Sequence, residues 1–174
     1  MRNIFTLLLC IILPVFSLNA QSGRVTYEDI GEGNVPIAVQ ESQLNSFPES
    51  FVTRWHLQRE PFTKVNDTVF YRSSFQQNSV PGHKATYLTN GFLLYSSQFM
   101  RKNQLPQTIF LKIKQDHPDF VVEHANFITL YRSKFELYSI RLQEDNRFLD
   151  VYYDINGNKI EKDALPAEIV LFSK

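Results

Sequence analysis

The sequence predicts an α+β protein: two tandem helix-plus-antiparallel-sheet repeats, with the helices packed on one face of a shared or adjacent sheet. Three observations predict it. Residues 35–48, VPIAVQESQLNSFP, align with 105–118, LPQTIFLKIKQDHP, so that Pro36 matches Pro106 and Pro48 matches Pro118, 70 positions apart. Asn90–Gly91 and Asn156–Gly157, 66 positions apart, each separate two strand-like runs. With 14% aromatic residues, including 15 Phe and 8 Tyr, the chain favours pleated, half-buried surfaces.

Residues 1–20, MRNIFTLLLCIILPVFSLNA, place Arg2 before an apolar run from Ile4 to Phe16 and end on Ala20. This layout predicts a secretory signal peptide cleaved after Ala20. The run is shorter than the roughly 20 residues a spanning helix needs, and Pro14 breaks it, which disfavours an uncleaved anchor. Cys10, the one cysteine, lies inside the run behind a bulky Leu9, a poor context for lipidation. A mature chain then has no disulfide, no thiolate nucleophile and no cysteine metal ligand. Residues 21–34 form an N-terminal extension.

The first repeat spans 35–104. Pro36 suits the first turn of a helix because its missing N–H has no partner there anyway, and Pro48 disfavours helix just before it. A helix over 36–46 follows, then strands near 51–58, 68–76, 83–89 and 92–97. The second repeat spans 105–162, with a helix over 106–116 and strands near 120–130, 133–143, 147–154 and 158–161. Ile109 and Ile113 share one face of its helix. Each Asn-Gly pair suits a type I′ turn, in which both central residues take positive φ. The tail, 163–174, contains LPAEIVLFSK, similar to LPQTIFLKIK at 105–114; it reads as the start of a third unit or as a closing strand. One such unit alone buries only about 60% of its unfolded surface, so two sharing a sheet are favoured. The face away from the helices is expected to be open to solvent.

Charge excludes some functions. Lys plus Arg and Asp plus Glu both number 18, and losing Arg2 leaves 17 against 18, so no broad basic surface speaks for nucleic-acid binding. Nor is stable membrane insertion expected once the signal is removed.

The Val-Pro or Leu-Pro helix start, the Phe-Pro or His-Pro step, the run of strands and the D-x-N-G hairpin resemble PepSY-like proteins, which are grouped with the beta-lactamase-inhibitory-protein fold of the bacterial envelope. Val35, Pro36, Phe47, Pro48 and Trp55 carry the likeness in the first unit; Leu105, Pro106, Pro118, Asp154, Asn156 and Gly157 carry it in the second. The resemblance implies an exported, non-enzymatic protein, and some relatives inhibit enzymes by docking a sheet surface on them. The first unit departs from the pattern between Arg59 and Asp67 and around Gln77–Gly82, and no inhibitory loop matches residue by residue.

Catalytic and metal constellations are absent from the pattern. His56, His83, His117 and His124 have no ligand spacing. Asp154, Asn156 and Asn158 alternate like the start of a calcium loop, but Gly157 is fourth where an EF-hand needs it sixth. No G-x-S-x-G elbow or phosphate-cradling loop occurs. The expectation is therefore no catalytic residue, no metal and no cofactor. Along 147–154, Leu149, Val151 and Tyr153 share the face meant for the helices, while Phe148, Asp150, Tyr152 and Asp154 share the other. Trp55, Tyr138, Phe148 and Tyr152 are the expected binding rings for a protein or peptide partner, since Tyr and Trp give large contact area at low entropy cost. Two other readings stand beside this one: a small envelope hydrolase with a His/acid site, and a structural component that self-associates through edge strands.

Overall fold

Nine strands hydrogen-bond in chain order into one antiparallel sheet in the computed structural model, which describes residues 26–59, 69–166 and 168–169. The predicted signal peptide, Cys10 and the interruption after Arg59 lie outside the described residues. The elements are β1 (Thr26–Ile30), α1 (Ile37–Ser46), β2 (Ser50–Arg59), β3 (Val69–Gln77), β4 (Val80–Leu88), β5 (Leu93–Met100), α2 (Gln107–Asp116), β6 (Val121–Leu130), β7 (Phe135–Glu144), β8 (Arg147–Asp154) and β9 (Lys159–Ile160).

This architecture corrects the expectation of two tandem helix-plus-sheet repeats. β5 pairs with β6 from Tyr95↔Leu130 to Met100↔Ala125, so the sheet runs unbroken through the boundary expected at 104/105. The protein is mostly one large sheet carrying two ten-residue helices. The physical reason is edge exposure: two separate four-stranded units would leave β5 and β6 as unpaired edges, whereas pairing them satisfies both rows of backbone groups.

The turns correct a second expectation. Gly91 (φ 83°) and Gly157 (φ 82°) have positive φ, but Asn90 and Asn156 do not. The Gly91 N–H donates to the Leu88 carbonyl, and the Gly157 N–H to that of Asp154. Each loop is thus a type I turn closed by a left-handed glycine, a three-residue hairpin rather than type I′. Two consecutive positive φ values occur instead at Asn78 and Ser79, between β3 and β4.

Strand alternation gives the sheet two unlike faces. Following the register, Trp55, Ser73 and Ala85 are neighbours on one face, and Ala125, Ile140 and Val151 continue that face beyond β5. α1 packs there through Val39, against Trp55, Phe75, Ala85 and Tyr87. α2 packs there through Ile109 and Ile113, against Ala125, Ile140, Leu142, Val151 and Tyr153. On the opposite face Phe70, Leu94, Tyr95, Ile128, Leu130 and Leu137 form a third cluster, closed by Ile169, which is 2% exposed. That face, expected to be open, is therefore covered at its centre by the chain's own C-terminal segment. There the Ile169 N–H donates to the Pro166 carbonyl at 2.9 Å, a helical turn and not a strand.

A buried polar contact distinguishes α1 from α2. Gln43 Oε1 accepts from Ser73 Oγ at 2.7 Å and from the Tyr87 hydroxyl at 2.8 Å, while its Nε2 donates to Ser50 Oγ at 3.1 Å. Replacing Gln43 by Leu strands two buried hydroxyls and should cost about 1–3 kcal/mol, read as a lower urea midpoint. A Cβ at Gly91 would overlap the Ala38 carbonyl of α1 and hold an unfavourable positive φ. Gly91→Ala should therefore destabilise on the order of 2 kcal/mol in the same assay.

Burial pushes the Tyr153 phenol up to about 12, with the Asp116 carboxylate adding to it, and burial likewise raises Tyr87. Both phenols stay neutral longer in the folded state than in the unfolded one, where ionisation sets in near pH 10. Their stabilisation is complete below pH 10 and declines as pH rises from 10 toward 12. Tyr153→Phe should lose less stability between pH 9 and pH 11 than the parent protein does, measured by urea unfolding at both values.

Candidate functional site

The helix-free face divides into three zones. Over β1–β4 the lateral row Arg54, Ser74, Lys84 lies one pleat from the row Asp29, His56, Arg72, Thr86. Of these, Arg54, His56, Arg72, Ser74 and Lys84 line, with Tyr27, a concavity of about 560 Å³. Arg72 donates to Thr86 Oγ1 at 3.3 Å and to the hydroxyls of Tyr27 and Tyr95, and its guanidinium lies 5.3 Å and 5.9 Å from those two ring centres. Such contacts hold the cation in place. The middle zone is the apolar cluster under Ile169.

The third zone lies on β7 and β8. Phe148 is 58% exposed, and Tyr152 is half-buried against the Ile169 cluster. Between them Asp150 takes a two-pronged hydrogen bond from Arg141, Nε to Oδ1 at 2.9 Å and Nη2 to Oδ2 at 3.2 Å. That bond raises the Arg141 pKa further, and burial with the nearby Asp150 raises that of Tyr152. At physiological pH the zone thus presents a neutral phenol, an exposed ring and a compensated ion pair.

The four expected binding rings do not come together. Phe148 and Tyr152 share the helix-free face, with Leu149, Val151 and Tyr153 turned toward α2. Trp55, 4% exposed, lies under α1 on the other face. Tyr138 also takes the helix-bearing face, tilted against Phe127 with ring centres 5.0 Å apart. The period-two reading separates the faces correctly within one strand, but it does not say which face of another strand meets the helices.

The histidines are scattered. His56 Nδ1 lies 2.6 Å from Asp29 Oδ1 on β2, and His124 on β6 stacks on Phe99 at 5.8 Å. His83 stacks on Phe75 at 5.4 Å, and burial lowers its pKa. His117 ends α2, edge-on to Phe120. His56 and His124 stand four strand spacings apart, roughly 19 Å. Among the described residues, the two histidines and an acid expected to converge in the hydrolase reading do not come together. Among the described residues no group of three or more His, Cys, Asp or Glu side chains gathers as a metal site.

Asp154 serves its turn. Its Oδ1 accepts from the backbone N–H of Asn156 at 2.9 Å and of Asn158 at 2.8 Å, and its Oδ2 accepts from Asn158 Nδ2 at 2.8 Å. Desolvation opposes the charge slightly, but these bonds prevail and lower its pKa. The carboxylate is committed to the hairpin.

No protein-family model matches the chain, and no curated protein does. Among solved structures, a BLIP-like protein from Bacteroides fragilis superimposes with a TM-score of 0.57 at 13% identity, covering 71% of this chain and 82% of that one. The class this defines is a fold: a BLIP-like sheet with helices on it. Two further Bacteroides proteins match more loosely. One, from Bacteroides thetaiotaomicron and described as a calcium-regulated periplasmic protein, gives 19% identity over 78% of this chain and 94% of that one, with a TM-score of 0.33. The other, a periplasmic protein of the DUF2874 family from Bacteroides vulgatus, gives 17% identity, the same coverages and a TM-score of 0.34. Among the described residues no helix is long and apolar enough to cross a membrane.

Proposed function

We infer that this protein is an exported, non-enzymatic binding module of the bacterial envelope that docks a protein partner on its helix-free sheet face. The carrying observation is Phe148: a large ring left 58% exposed on a strand whose opposite side is sealed against α2, beside the Arg141–Asp150 pair and Tyr152. An exposed aromatic flanked by a geometrically fixed ion pair is the arrangement of an interface anchor with a polar rim. Export rests on the three-part layout of residues 1–20. The BLIP-like fold supports the reading, because a broad sheet face free of helices is a surface on which another protein can be held. Inhibition of an enzyme is the finer form of this proposal, with the partner's active-site rim against β7 and β8.

The test places a photo-crosslinking residue at position 148 and, as a control, at Leu111 on the exposed side of α2, in cells of the natural host. A partner captured at 148 and not at 111 is then purified and its affinity measured. Phe148→Ala should weaken it at least about tenfold and Tyr152→Ala less. Equal capture at both positions, or unchanged affinity in Phe148→Ala, would overturn the assignment.

A further inference from the structure

The two ends of the sheet are closed differently. β1 is blunted by charge: its side chains are exposed from Thr26 to Asp29, and Glu28 and Asp29 are adjacent. At the other end β9 pairs with β8 at two positions, Tyr152↔Ile160 and Tyr153↔Lys159. The chain then winds into a short helical turn over Lys162–Ala164, with the Ala164 N–H donating to the Glu161 carbonyl at 2.9 Å. β8 runs on past β9 through Arg147–Val151. The Asp154 N–H donates away from β7, to the Asn158 carbonyl at 2.9 Å. Successive residues of a strand direct their backbone groups to opposite sides, and the β7–β8 register has no shift from Leu137↔Asp154 to Glu144↔Arg147. Tyr152, Asp150 and Phe148 therefore also turn their N–H and C=O away from β7. Those of Tyr152 lie abreast of Ile160, whereas those of Phe148 and Asp150 have no backbone partner among the described residues.

Beside this open stretch runs a groove of about 240 Å³, with Leu149, Val151 and Ile160 along one wall and His117 and Lys162 among the residues facing them. Its charges are matched internally: Asp150 is held by Arg141, Glu161 lies 3.3 Å from Lys159, and Lys162 stands next to Asp163. The groove thus asks for no net charge in its occupant. What it offers is a row of main-chain donors and acceptors about 7 Å apart, the repeat along one edge of an extended peptide. Alternate side chains of such a peptide would meet the exposed Phe148 ring on one face and Leu149 on the other. A second copy fits less well, because pairing two β8 edges antiparallel around Leu149 drives β9 of one copy into the β7–β8 turn of the other. We propose that the free edge of β8 takes up an extended, uncharged peptide segment as an added strand, paired with the outward N–H and C=O of Phe148 and Asp150 and with an apolar side chain against the Phe148 ring. This rests on the reading of β7 and β8 as the docking end and names the form of the partner.

Fluorescence anisotropy of a dye-labelled hexapeptide of alternating Val and Thr, flanked by lysines for solubility, against the purified protein tests this. Saturable binding is expected, and N-methylation of every hexapeptide residue should weaken it at least about tenfold. Phe148→Ala should weaken binding roughly threefold through loss of the ring. Phe148→Pro also removes the outward N–H but takes nothing from the β7 ladder, and should weaken it at least about tenfold more. Should Phe148→Pro fail to fold, hydrogen exchange in the parent protein decides. The Phe148 and Asp150 amides should exchange fast alone and at least about tenfold more slowly with peptide bound, while Leu149 and Val151 stay slow throughout. No binding, equal binding of the N-methylated peptide, equal affinities of Phe148→Ala and Phe148→Pro, or slow exchange at 148 and 150 without peptide would each overturn strand addition. An unaffected Phe148→Ala beside a disabled Phe148→Pro would instead remove the ring from the reading above and leave the edge pairing standing.

Discussion

The pairing of β5 with β6 is the contact on which the remaining architecture depends. It joins two groups of strands into one sheet and fixes their relative register over six residue pairs. Because side chains alternate with a period of two, that register decides which side chains on β6–β9 share a face with those on β1–β5. A slip of one residue would turn Ala125 and Ile140 away from α2 and bring the Ile128–Leu137 row under it. The helix layer and the cluster beneath Ile169 are both consequences of this alignment.

The two helices solve the same packing problem with different chemistry. α2 meets the sheet through Ile109 and Ile113, a wholly apolar seam. α1 presents Val39 and, one turn on, Gln43, whose amide is matched by Ser50, Ser73 and Tyr87. A buried amide with its partners in place adds directional contacts that an aliphatic side chain cannot make, so α1 is held in one orientation as well as buried. The glycine turn beneath each helix serves the same closeness: Gly91 lies against α1 and Gly157 beside Thr108 and Ile109 of α2.

On the other face neither α1 nor α2 packs, and among the described residues the segment ending at Ile169 covers the centre. What is left exposed is polarised. A basic concavity stands over β1–β4, and a ring-bearing strip with an internal ion pair stands over β7 and β8, with apolar side chains sealed by Ile169 between them. A single partner crossing this face would meet both ends.

Much of this was legible in the sequence because it depends on local chemistry. Pro36 and Pro106 set the starts of α1 and α2, the aliphatic pair Ile109 and Ile113 marked one buried stripe, and strand alternation separated Phe148 and Tyr152 from Leu149 and Val151. The Asn-Gly pairs located two hairpins, although the turn type followed from where the glycine, and not the asparagine, took positive φ. Local chemistry could not say that the strands join into one sheet, that Trp55 lies beneath α1, that Ile169 returns to cover the far face, or that Arg54, Arg72 and Lys84 meet. Each of those joins residues from different strands or distant segments, and a linear pattern carries no term for which strand lies beside which. Period and propensity are properties of neighbours along the chain; faces, covers and charge clusters are properties of neighbours across the sheet, settled only when the backbone pairs.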